Sequence, residues 1–142
     1  MMKSLTALIA MISFTAPPTA STDPFTGRVM PARFYHRLAQ CETGKQWLDL
    51  DTRRNYTSGF GIARGVWMRY SNSSGADRYT PAQQAVIVDR IAFLGFTDDA
   101  GRHYHPVGVW GWGVIKRNCM NLQRFICKSK KPVVQRWKRH CN

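Results

Sequence analysis

The sequence predicts an α+β fold: a small, mainly helical domain with a short β-hairpin, followed by a basic helical C-terminal extension. Three observations predict it. Apolar residues recur at helical spacing around Phe34, Leu38 and Cys41, and again from Ala85 to Leu94. Between them, residues 49–61 are dense in turn formers, with Asn55, Tyr56, Ser58, Gly59 and Gly61. The last segment, residues 116–142, has nine Lys or Arg and no acid, yet carries Leu122, Phe125, Ile126, Val133, Val134 and Trp137.

The chain has 142 residues, enough for one ordinary domain, and its 44% hydrophobic and 12% aromatic content can fill a core. Its formal net charge of +13 implies an anionic partner: a cell-wall polymer, a lipid surface or a nucleic acid. Beyond charge, no motif supports specific nucleic-acid recognition.

Residues 1–21 read as a signal peptide, with Lys3, an apolar run over 5–14, and cleavage after Ala20 or Ser21. About ten apolar residues are too few to span a bilayer, so no transmembrane span is expected in the mature form. A secreted, extracellular or cell-wall-associated monomer is expected. The four cysteines, Cys41, Cys119, Cys127 and Cys141, fit export as two disulfides, with three connectivities open. No CxxC pair exists, so zinc is not expected, and no cofactor is implied.

The elements follow in order. Residues 22–31 read as a linker, with Pro24, Gly27 and Pro31 as breakers. Pro31 suits the first turn of a helix running to about Cys41. Residues 49–61 form a hairpin or irregular β segment, and 62–70 a short helix with Trp67. Residues 71–79 are a polar loop. Thr80, Pro81 and Gln83 make a helix start with a capping box, and the helix continues through Leu94 to a stop at Gly95. Its apolar character on every side places it at the centre of the domain. Residues 97–101 are a turn, and 102–107 an extended arm. The tail is read as an attached basic helix stapled by Cys127 and Cys141. The domain boundaries are thus 32–121 for the main domain and 122–142 for the tail.

One residue stands out chemically. Glu42 is the only glutamate, against seven Asp. It falls at the end of the first expected helix, at the edge of the apolar stripe, where a carboxyl is partly dried. Burial disfavours the charged form, which suits a general acid.

The residues around it carry a family resemblance. The run Arg37-Leu38-Ala39-Gln40-Cys41-Glu42-Thr43-Gly44, then Trp47, Tyr56 through Gly59, Trp67, Trp110-Gly111-Trp112-Gly113 and Cys119 resemble the resuscitation-promoting factor and transglycosylase-like domains of actinobacteria and their phages. These are small relatives of the lysozyme fold. The match covers about residues 32–119. It implies a lysozyme-like domain, Glu42 as catalytic acid, and a Cys41–Cys119 disulfide. Two features depart from the pattern: Gly61 stands where the family usually has Gln, and the hairpin is one residue longer. The basic tail lies outside the match.

The implied substrate is peptidoglycan, cleaved at the β-1,4 bond between N-acetylmuramic acid and N-acetylglucosamine. Glu42 donates a proton to the leaving oxygen. Asp51 is the possible second acid, preferred over Asp49, which Leu48 and Leu50 flank; either Asp instead solvates or pairs with Arg53 and Arg54. Without a second carboxylate, the muramic acid 6-hydroxyl closes onto C1, the lytic transglycosylase route. Tyr56, Gly59, Trp67 and Trp110 are the candidate substrate contacts, although an aromatic ring in such a place is more often core than sugar platform. Trp47 and Trp112 are read as core, and His36, His103 and His105 as surface residues. The tail is expected to hold anionic wall polymers. The competing readings are a non-catalytic wall-binding or signalling module, and a cationic membrane-active protein acting through the tail.

Overall fold

The structure is a computed structural model that describes residues 22–48, 55–112 and 119–141. The expected signal peptide, Asp49, Asp51 and Gly113 lie outside the described residues.

Helix α1 spans Ala32–Thr43 and buries Phe34, Tyr35, Leu38 and Ala39. Pro31 sits at its N-cap. The helix closes at Gly44, whose φ of 65° is one that glycine adopts without steric cost. The N–H groups of Gly44 and Lys45 reach back to the carbonyls of Gln40 and Ala39 at 3.2 and 3.1 Å.

Strands β1 (Tyr56–Thr57) and β2 (Ile62–Ala63) pair antiparallel, with Tyr56 opposite Ala63 and Thr57 opposite Ile62. Helix α2 (Arg64–Ser71) follows at once and buries Trp67 and Tyr70. Helix α3 (Pro81–Asp89) starts with the expected capping box: Thr80 N–H donates to Gln83 Oε1 at 2.9 Å, and Gln83 N–H donates to Thr80 Oγ1 at 3.3 Å.

The α-helix does not run unbroken to Leu94. From Arg90 to Leu94 it widens into a π turn that Gly95 ends. The carbonyls of Ile91 and Ala92 accept from Val107 and Gly108 instead, at 2.8 and 3.0 Å, which draws them away from the regular ladder. The expected arm becomes half of a second hairpin, β3 (Phe96–Thr97) with β4 (His103–Tyr104). Asp98 organises its turn. One carboxylate oxygen accepts from the N–H groups of Ala100 and Arg102, and the other from Arg102 Nε at 2.8 Å.

Two domain boundaries need correction. Residues 22–31 are no linker: Phe25 and Met30 are only 1% and 2% exposed and belong to the core. Asp89 ties this segment down from α3, accepting from Val29 N–H at 3.3 Å and from the Tyr35 hydroxyl, which itself accepts from Met30 N–H at 3.0 Å. Burial pushes both the Asp89 carboxyl and the Tyr35 phenol up from their ordinary values. Nor is the C-terminal segment an appendage. It contains a 3₁₀ turn (Cys119–Asn121), α4 (Leu122–Lys128), α5 (Pro132–Gln135) and a last 3₁₀ turn (Lys138–His140). Leu122, Ile126 and Val134 are fully buried in the same core as α1 and α3. A helix too short to stand alone is held by its apolar face.

Both cysteine pairings are present. Cys41 bonds Cys119 across 78 residues, and Cys127 bonds Cys141 across 14. They fit an oxidising compartment. Among the described residues, no helix is long and apolar enough to cross a membrane.

Candidate functional site

Glu42 occupies the last turn of α1 and is half-buried. Its two neighbours in sequence are both fixed. Cys41 is bonded to Cys119. Thr43 Oγ1 donates to the Gly59 carbonyl at 2.7 Å, tying the helix end to the hairpin turn. Between these anchors the Glu42 carboxyl lies against Gly61, and its Oε1 is buried. A methyl group placed on Gly61 would sit 3.0 Å from Glu42 Oε2 and 3.2 Å from its Cβ. Gly61 also has a φ of +60°, so a side chain there would be strained by the backbone and would press on the carboxyl as well. Glycine at position 61 lets the hairpin come this close to the carboxyl.

The turn over residues 58–61 is clamped from three further sides. Gln84 on α3 is completely buried and accepts from Gly59 N–H at 2.8 Å. Its amide nitrogen donates to the carbonyls of Trp47 and Tyr79, both at 2.9 Å. Trp112 Nε1 donates to the Phe60 carbonyl at 2.9 Å. Gly59 presses so closely on the Trp47 indole that a side-chain carbon would enter the ring. The hairpin is therefore positioned by α1, α3, and the segments holding Trp47 and Trp112.

The structure separates the candidate substrate contacts. Tyr56, on β1 of the same hairpin, is 60% exposed and presents its ring to solvent. Trp67 is 0% exposed, standing edge-on to Tyr79 at 5.1 Å, so it has no face left for a sugar and belongs to the core. Gly59 is buried, with its N–H and carbonyl engaged by Gln84 and Thr43; it sets the turn rather than touching a ligand. Trp110 is half-buried, and its Nε1 donates to the Trp137 carbonyl at 3.2 Å, linking this loop to the C-terminal segment. Trp112 is buried and Trp47 packs against the core, as their sequence context indicates.

Asp51, the possible second acid, lies outside the described residues, as does Asp49. Four other aspartates are engaged in structural pairs. Asp23 accepts from Phe25 N–H at 2.9 Å and from His36 at 2.7 Å, and these bonds, the backbone one foremost, hold its carboxyl below the usual range. Asp89 is in the core, Asp98 in the second hairpin turn, and Asp99 accepts from the Asn72 amide at 3.1 Å. His103 Nδ1 pairs with Thr97 Oγ1 at 2.8 Å. Among the described residues, no group of three or more His, Cys, Asp and Glu side chains is placed to hold a metal.

Sequence reasoning gave no role to Thr43 or Gln84, and marked Gly61 only as a turn former and a departure from the resembled pattern. Gln84 carried a signal: it is a polar residue inside an otherwise apolar helix, beside a Gln83 already used by the cap. No family model, curated protein or solved structure matches the chain.

Proposed function

We propose that the chain is a secreted muralytic enzyme of lysozyme-like type, cleaving the β-1,4 bond between N-acetylmuramic acid and N-acetylglucosamine with Glu42 as general acid and base. The observation that supports it most is the seat of this one glutamate. It stands at a helix end, pressed on a hairpin glycine, with one oxygen removed from water. An acid in this chemistry must hold its proton until the bond opens, and withdrawal from solvent favours the neutral carboxyl. The resemblance of the residues around Glu42 to the resuscitation-promoting factor and transglycosylase-like domains points the same way. The exposed Tyr56 ring, on the hairpin that touches Glu42, supplies a surface for a sugar face.

In this reading Glu42 gives its proton to the bridging oxygen as the C1–O bond breaks, leaving an oxocarbenium-like sugar. The muramic acid 6-hydroxyl then attacks C1 and returns its proton to Glu42, which closes a 1,6-anhydro ring. This route needs one carboxylate, and four of the aspartates are engaged elsewhere in the fold. A water activated by a second acid such as Asp51 gives a reducing-end sugar instead. The positive charge keeps the protein near an anionic wall.

Mass spectrometry of the soluble fragments released from purified sacculi tests this. Anhydro-muropeptides, lighter by one water than hydrolysis products, are expected. Reducing-end products would replace the one-carboxylate route with hydrolysis. No release above a buffer control would remove the enzymatic reading and leave a binding module.

A further inference from the structure

A cleft of about 920 Å³ opens between the N-terminal segment, the start of α1 and α4 with its following loop. One wall carries Arg28, Arg33 and Arg37, and the other Arg124, Lys128 and Lys130, with Lys131 beside them. Among the described residues, no acidic side chain lines it. Asp89 stands behind Arg28 at 3.8 Å, but its side chain is 3% exposed and turned into the core.

The cations are arranged, not merely gathered. The guanidinium groups of Arg33 and Arg37 lie 5.2 and 5.3 Å from the centre of the same Phe125 ring. Lys131 Nζ donates to the Arg28 carbonyl at 2.9 Å and joins the two rims. Among the described residues, Arg124, Lys128 and Lys130 carry no ion pair, so like charges face one another across the opening. Such an arrangement repels itself until an anion enters.

The lining selects among anions. Stacking of nucleobases needs open aromatic faces. Here Phe125 is occupied by two guanidiniums, and Phe25 is buried. Docking on a lipid surface needs protruding apolar side chains. Among the described residues the exposed large ones, Leu48, Tyr56, Met68, Leu94 and Val107, all lie outside this cleft. The volume and the number of cations exceed what a single phosphate engages. We propose that the cleft binds a linear, base-free phosphodiester polymer, of the polyol-phosphate kind, reading its repeated charge.

This does not depend on glycan cleavage, because Glu42 is absent from the cleft lining. The test is fluorescence anisotropy with labelled poly(glycerol phosphate) at low salt. Two triple variants of equal charge are compared with the wild type. One is Arg124→Gln/Lys128→Gln/Lys130→Gln; the other is Arg69→Gln/Arg78→Gln/Arg139→Gln, all three exposed and outside the cleft. The cleft variant should bind about tenfold or more weakly and lose about two to three from its log–log salt slope. The control variant should lose less than about threefold. Glu42→Gln should bind like the wild type. Absent wild-type binding, or equal losses in both triple variants, would overturn the proposal. So would single-stranded DNA of equal phosphate number, or phosphatidylglycerol vesicles, binding the cleft as tightly as the polymer.

Discussion

The Glu42 carboxyl lies against Gly61, which combines a left-handed φ with a close approach to it. Gly61→Ala should therefore cost about 1–2 kcal/mol in denaturant unfolding, from the backbone alone. It should lower turnover further, by displacing the carboxyl. Unchanged turnover in a folded Gly61→Ala protein would mean that contact with the hairpin does not position Glu42. Asp98 illustrates a different kind of residue. Burial opposes its ionisation, but the hydrogen bonds and charge of Arg102 and the Ala100 N–H hold its carboxyl below the ordinary value of 3.8. The unfolded chain thus binds the proton more readily. The stabilisation is present above the unfolded pKa and is lost as pH falls through the folded one. Asp98→Asn should flatten the acid limb of the stability–pH curve below about pH 4. An unaltered acid limb would show that Asp98 is not tied to Arg102 in solution.

The hairpin turn of residues 58–61 depends on Gln84 more than on its own strands, which are two residues each. A Gln84→Leu substitution leaves Gly59 N–H and the Trp47 and Tyr79 carbonyls without this partner. Each buried, unsatisfied group costs about 1–3 kcal/mol, so a loss of about 2–4 kcal/mol is expected after partial relaxation. Chemical denaturation measures it, and a loss below about 0.5 kcal/mol would contradict the clamp. This scale also shows what the sequence makes legible. The capping box at Thr80 and the stop at Gly95 are signalled by residues at the helix ends themselves, so local chemistry reveals them. The π turn at Arg90–Leu94 is not, because its cause is the backbone of residues 107–108, far along the chain. The N-terminal segment was obscured by its breakers: Pro24 and Gly27 suggest a linker, whereas Phe25 and Met30 are the residues that settle into the core.

At the scale of the molecule, one core joins the N-terminal segment, the central helix and the basic C-terminal segment. Two disulfides close loops of very different length across it. In the chain-entropy account, the 78-residue loop contributes up to about 4–5 kcal/mol and the 14-residue loop about 3. Paired Cys→Ser replacement at Cys41 and Cys119 should therefore lower the unfolding midpoint more than replacement at Cys127 and Cys141. The reverse order would show that native-state contacts outweigh loop closure. The α+β class and the core aromatics Trp47 and Trp112 were legible, as was the place of Glu42 at a helix end. The distribution of roles among the other aromatics was not. Trp67 and Trp110 have the same composition signal, and only packing decides that one is sealed in the core and the other ties down the C-terminal segment. The basic cleft was equally hidden, since its walls come from segments roughly a hundred residues apart.

The most direct measurement is turnover of purified peptidoglycan by Glu42→Gln beside the wild type, with matched unfolding midpoints confirming that both are folded. The account predicts a fall of about 10²–10⁴-fold, the contribution of a positioned general acid. A Glu42→Gln protein that releases muropeptides at the wild-type rate would contradict it.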